Sequence, residues 1–296
     1  MTAAPPIVFD RRLQRERLRR AAREGPASFL LDRAVLDLDD RVAAVKRRFD
    51  RILDLGSPGR SVASCLRARF PQAMLVQAAP DSAAFGAERL SLVADEENVP
   101  FNGEIFDLAV SLLSLHWTND LPGVLAQIRR VLRPDGLFLG CLVGGQSLKE
   151  LRTALAVAEE ETTGGASPRV APFADIRDLG ALLQRVGFAL PVTDIETVGV
   201  RYADAFGLMR DLRAMGAANP LKERSRRPLR RATLNRAAQV YSERFADPDG
   251  RVRATFDLVW LSGWAPHESQ QKPLRPGSAR MRLADALGVP EGKLER

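Results

Sequence analysis

Cysteine and histidine are scarce, with two of each in 296 residues. Cys65 and Cys141 stand far apart, one in a helical and one in a strand-like context, so reduced thiols are expected rather than a disulfide or a zinc site. A non-haem iron centre wants two histidines and a carboxylate around one ion. His116 and His267 are about 150 residues apart with no His-x-Asp or His-x-Glu pair, so no metal site is expected. Long apolar runs are missing too. Leu137 to Val143 is a typical stretch, far below the roughly 20 residues a bilayer span requires, and no transmembrane segment is expected. The chain opens with Pro5, Pro6 and then arginines, without the apolar core of a secretory signal, which predicts a cytoplasmic protein. Lysine occurs only five times, so the formal charge of +7 is carried almost wholly by arginine.

That charge is clustered. Residues 11–23 hold seven arginines against Glu16, and residues 222–231 hold Lys222, Arg224, Arg226, Arg227, Arg230 and Arg231 against Glu223. Either cluster could grip phosphate or form a solvated helix face. No aromatic residue interleaves with them, which disfavours a base-stacking surface for nucleic acid; a solvated face is the plainer expectation, and if the second cluster takes a partner, an acidic protein surface is favoured over RNA.

Hydrophobic content of 45% is enough for a sizeable core. Residues 11–49 carry apolar positions at helical spacing, broken at Gly25-Pro26. From Arg51 the pattern becomes short apolar runs, Ile52–Leu55, Met74–Val76, Leu90–Val93, Phe106–Leu113 and Leu137–Val143, alternating with helical segments. This predicts βαβ units and a mainly parallel sheet. A helix is expected over about Asp120–Leu132, closed by a turn at Pro134-Asp135-Gly136. Further helices are expected over Leu148–Thr162, Ile176–Val186, Ala203–Met215 and Leu229–Phe245, with strands near Val192–Val200 and Val252–Trp264. The division predicted is a helical segment over 1–50 and a main domain over 51–265. That domain has a core at 51–145 and a helical elaboration at about 146–250. Residues 266–296 form a largely mobile tail with a weak helical pattern at Met281–Leu287.

Three segments carry chemistry. Residues 52–61, ILDLGSPGRS, read as a strand ending near Asp54, then a glycine turn at Gly56 and Gly59 into a helix start, where backbone amides can approach an anionic ligand. Residues 93–101, VADEENVPF, place Asp95 and Glu96 after a strand. Residues 105–117, IFDLAVSLLSLHW, give a buried strand that opens with Asp107 and closes on Ser114-Leu115-His116-Trp117. With Leu132-Arg133-Pro134-Asp135-Gly136, these four motifs stand in the order of the class I S-adenosylmethionine methyltransferases, which the chain resembles. The resemblance implies a Rossmann-like α/β fold, a mainly parallel sheet with helices on both faces, N-terminal helices and a helical elaboration after the fifth strand.

Ser114–Pro122, Gly144–Arg152, Gly164–Pro168 with Pro172-Phe173, Gly263-Trp264, His267–Gln270 and Gly277–Ala279 narrow the likeness. They resemble the methyltransferase-like assembly factors of respiratory complex I. That implies a protein client, an iron–sulfur subunit of the complex, and either modification or chaperoning of it. The family's mitochondrial members are associated with arginine hydroxylation. It also implies S-adenosylmethionine as cofactor, with Asp54, Gly56 and Gly59 at its methionine end, Asp95 and Glu96 near adenine, and Ser114, Leu115 and His116 along the cleft. Pro58 and Arg60 stand where that loop usually has glycines, and Ala79 where an acid would hold the ribose, so weak or lost cofactor binding is expected. The rival readings are an active methyltransferase on RNA or a small molecule, and a scaffold that only holds its client. No spacing identifies a catalytic base.

Overall fold

The computed structural model describes residues 6–82, 85 and 90–271. The chain divides into two compact units, residues 1–266 and 267–296. In the first, helices α1 (Arg11–Glu24) and α2 (Phe29–Ala44) precede β1 (Arg51–Leu55), α3 (Ser61–Arg69), β2 (Met74–Ala79), β3 (Leu90–Val93), β4 (Phe106–Leu112), α4 (Leu121–Val131) and β5 (Leu132–Gly144). Then come α5 (Lys149–Thr163), α6 (Ile176–Val186), β6 (Ala189–Tyr202), α7 (Ala205–Ala214), α8 (Arg231–Phe245) and β7 (Val252–Trp264).

These strands form one seven-stranded sheet in the order β3-β2-β1-β4-β5-β7-β6. β1 to β5 pair in parallel, while β7 runs antiparallel between β5 and β6. The sheet is the mainly parallel one expected. Adjacent residues of its strands feed opposite faces, as a strand's period of two dictates. Leu53, Ala109 and Phe138 pack with Val124, Ile128, Leu179 and Leu183 of α4 and α6. Ile52, Leu108 and Leu139 pack with Leu38 and Val42 of α2 and with Val62 and Leu66 of α3. Strands covered on both faces read as nearly continuous apolar runs, which is why β4 stood out in the sequence. The elaboration has its own core, with α5, α7 and α8 closing over Val252, Ala254 and Phe256 of β7.

α4 starts where Asp120 accepts a hydrogen bond from the Gly123 amide at 2.9 Å, with Pro122 in the first turn. The Pro134-Asp135-Gly136 segment is not the connecting turn expected. β5 already begins at Leu132, and the segment is a bulge within it. The register with β4 passes from Phe106–Leu132 to Leu108–Leu137, Asp135 adopts φ 64°, and its amide reaches the Ala265 carbonyl at 3.1 Å. α2 is fixed across the sheet by Arg41, whose guanidinium lies 4.3 Å from the Trp260 ring centre and makes two 2.7 Å hydrogen bonds to Asp194 of β6. Asp107 accepts hydrogen bonds from the Asp50 and Arg51 amides and pairs with Arg133, which makes it a strand-start anchor at the edge remote from Gly56. In the second unit, the His267 ring hydrogen-bonds Ser269 Oγ at 2.7 Å and shapes a turn. Gly277–Ala279 and Met281–Leu287 lie outside the described residues. Among the described residues no helix is long and apolar enough to cross a membrane.

Candidate active site

Ligands of open α/β sheets bind beyond the carboxyl ends of the strands where the strand order reverses, here between β1 and β4. Gly56 follows β1 at that edge with φ 74°, and its amide donates to the Ala78 carbonyl at 2.7 Å. A Cβ on it would lie 2.5 Å from Ser114 Oγ and 2.7 Å from the Glu96 side chain, so the position requires glycine. Ser114 in turn donates to Glu96 Oε1 at 2.7 Å. Gly56, Glu96 and Ser114, separate in sequence, therefore meet at one point. Gly59 shares the left-handed backbone, with φ 71°, but nothing lies within 4 Å of where its Cβ would be. It shapes the turn and makes no close approach.

Asp54 is buried, with Gln77 Nε2 at 3.4 Å from one oxygen and no partner for the other. Burial, only partly offset by hydrogen bonds from Ser57 and Gln77, pushes its pKa up to about 6. Below pH about 4 the carboxyl is protonated in both folded and unfolded chains. As the pH rises toward 6 the unfolded chain ionises first, so folding stability falls through this window and levels off above it. Urea unfolding at stepped pH should show Asp54→Asn gaining about 3 kcal/mol on the parent between pH about 3.5 and about 7. Parallel curves for the two proteins would mean that Asp54 is not buried as described.

The acids beyond β3 do not face an open cleft. Arg11 of α1 pairs with Glu96 and, at 3.0 Å, with Asp95; Arg15 pairs with Asp95, and Arg19 with Asp81. Residues four apart share a helix face, so one stripe of α1 carries all three guanidinium groups. Asp10 caps the helix by accepting from the Leu13 amide, and Asn119 holds the chain ahead of it by accepting from the Val8 and Phe9 amides at 2.8 and 2.7 Å. Burial alone would lower the Arg11 pKa, but Glu96 and Asp95 raise it. Burial likewise works against the charged form of Asp95, yet the Glu97 amide and Arg11 bring its pKa below the usual carboxylate range. The first arginine cluster is thus in good part a clasp over the acidic loop, neither free for phosphate nor simply solvated. The spacing of Arg11, Arg15 and Arg19 was its sequence signal, and the acids it would meet lay between 62 and 85 residues away.

His116 sits in the 3₁₀ turn Leu115–Trp117 after β4, with its Nδ1 buried and unpartnered. Burial first, and the Arg11 charge second, push its pKa down to about 3, so the imidazole is neutral at physiological pH. Leu115 is part of the core beside Leu53 and Leu125. Among the described residues no group of three or more His, Cys, Asp or Glu could hold a metal ion.

A family model described as a methyltransferase domain matches residues 53–140, the span from β1 to β5. Over a much greater length, the "Arginine-hydroxylase NDUFAF5, mitochondrial" of Danio rerio is 38% identical, an alignment covering 97% of this chain and 91% of that protein. The Homo sapiens protein of that name is 41% identical over 97% of this chain and 86% of its own. The chain belongs to the NDUFAF5 family. A malonyl-[acyl-carrier protein] O-methyltransferase of Laribacter hongkongensis is 33% identical over 87% of this chain and 90% of that one. Among solved structures, a candidate methyltransferase from Bacillus halodurans superposes with a TM-score of 0.53 at 14% identity, over 78% of this chain and 99% of that one. The Bacillus subtilis YcgJ protein gives 0.54 at 13%, over 79% and 99%. These two establish the fold, and it is the class I methyltransferase fold. The NDUFAF5 kinship spans nearly the whole chain, so it also takes in the helical elaboration that the methyltransferase model leaves out.

Proposed function

We propose that this chain is a complex I assembly factor that acts on a protein client, an iron–sulfur subunit, and modifies an arginine side chain of it. The observation that carries this reading is identity of 38–41% with NDUFAF5 proteins over 97% of the chain. A cytoplasmic location belongs to the same reading. The glycine cradle at Gly56 and the free oxygen of Asp54 fit S-adenosylmethionine, which when bound presents a transferable methyl group on a sulfonium. Asp54, Gly56 and Ser114 would hold its methionine end, with Asp95 and Glu96 toward adenine once α1 yields them. His116 would line the neighbouring wall as a neutral imidazole. Pro58 supplies no amide hydrogen, Arg60 Nε donates to the Phe85 carbonyl, and Ala79 offers the ribose no carboxylate, all of which support weak cofactor binding.

The test is the mass of the client. Complex I purified from cells with and without the gene is digested, and arginine-bearing peptides of the iron–sulfur subunits are compared. The expected result is one arginine heavier by a single oxygen atom only where the gene is present, as the relatives' name suggests; a C–H bond then becomes C–OH with oxygen from dioxygen, whose second atom leaves as water with two electrons and two protons from an external reductant. A gain of one methylene group instead would make the chain a methyltransferase. Unmodified arginines together with lost assembly would make it a scaffold, and either result overturns the reading.

A further inference from the structure

Beside the 3₁₀ turn Leu115–Trp117 lies a cavity of about 770 Å³, the size of a pocket for a small molecule, and His116 and Trp117 form part of its wall. Its interior is apolar. Leu151 and Leu155 of α5, Leu212 of α7 and Phe256 of β7 line it and are each less than 9% exposed. Its rim is cationic. Arg213, Arg226 and Arg227 line it, are exposed, and form no ion pair among the described residues. Deeper, Arg17 donates to the Ala218 and Asn219 carbonyls, while Arg224 pairs with Asp10 at 3.3 Å, and Arg169 pairs with Glu159. Among the described residues no acidic side chain lines the cavity. Burial and then the nearby Arg224 charge hold the Arg17 pKa below its usual value.

An apolar chamber with a cationic mouth discriminates by charge. An alkyl chain gains from leaving water at about 0.8 kcal/mol per methylene, which the buried leucines and Phe256 provide. A cationic head is repelled by the three guanidinium groups and a neutral head gains little from them, whereas a carboxylate or phosphate meets them in the fork geometry arginine favours. We infer that this cavity binds a small amphiphilic anion, an alkyl or acyl chain ending in a carboxylate or a phosphate. A client arginine is repelled here and must approach the site by another route. The inference goes beyond the client reading and is independent of it, since binding requires neither client nor cofactor.

Calorimetric titration of the full chain tests it with four ten-carbon probes: decanoate, decyl phosphate, decanol and decyltrimethylammonium. At least one anion should bind about tenfold or more tightly than the alcohol and the cation, and preference between the two anions identifies the head group. Octanoate and hexanoate should weaken by about threefold to fourfold per methylene removed. The variant R213Q/R226Q/R227Q changes only exposed side chains and should fold as the parent does. It should lose about tenfold in affinity for the anion and most of the salt dependence. Equal binding of cation and anion, an unchanged affinity in the triple variant, or no binding of either anion up to about 1 mM, a Kd worth only about 4 kcal/mol, would overturn the assignment. So would tight capture of an acidic amphipathic peptide by a chain that ignores the alkyl anions, since the rim would then be a protein-docking surface.

Discussion

Gly56→Ala is expected to lower stability by about 2–5 kcal/mol. A non-glycine residue in the left-handed region costs about 1–2 kcal/mol, and overfilling a packed site adds about 1–3 kcal/mol. The added methyl group would press on Ser114 Oγ and the Glu96 side chain, neither of which has room to retreat without loosening the contact with Arg11. Gly59→Ala is the control, because it has nearly the same φ and open space around it, so only the backbone cost of about 1–2 kcal/mol applies. Urea denaturation of both variants reads the difference. Equal losses at the two positions would show that Glu96 and Ser114 do not close over the turn.

The second large effect lies at Arg11. Its side chain is 11% exposed and that of Glu96 only 2%, so Arg11→Gln leaves a buried carboxylate without its counter-charge, which costs about 3–5 kcal/mol. For a chain of this size that is a fall in Tm of roughly 6–20 °C. Replacing the pair together, Arg11→Leu with Glu96→Leu, should recover most of the loss, because two apolar side chains need no mutual compensation. Arg12→Gln one residue along touches only exposed Glu16 and should change stability by less than about 0.5 kcal/mol. A loss below about 1 kcal/mol for Arg11→Gln would mean that water, not Arg11, compensates Glu96.

The local elements were legible because their periods are local. Ile52–Leu55 and Phe106–Leu112 show as apolar runs since both faces of the central strands are covered, and α4 announces itself through Asp120 and Pro122. The Gly56 turn was legible for a similar reason, as its glycine follows its strand directly. What the sequence concealed depends on distant partners. Nothing near Arg11 names Asp95 or Glu96, and nothing near Arg226 or Arg227 names the leucines of α5 that make their rim the mouth of a chamber. Gly59 resembled Gly56 in pattern and differs from it only in what stands opposite. The bulge at Asp135 reads in sequence as a turn because Pro and Gly serve both purposes, and only the pairing with β4 and Ala265 tells them apart.

The placing of β7 between β5 and β6 sets a timetable for synthesis. Among the described residues β6 touches the sheet through β7 alone, yet its last residue leaves the ribosome fifty residues ahead of the first of β7, a delay of roughly 3–10 s at ordinary rates of translation. Throughout that interval β6 has no strand to join, and Leu190, Val192 and Ile195, which stay exposed even in the finished fold, are open to other chains. A message cut short after residue 202 and before residue 252 would yield five paired strands and a stranded sixth, so nonsense and frameshift products ending in that window should appear as aggregates, not as partly working protein.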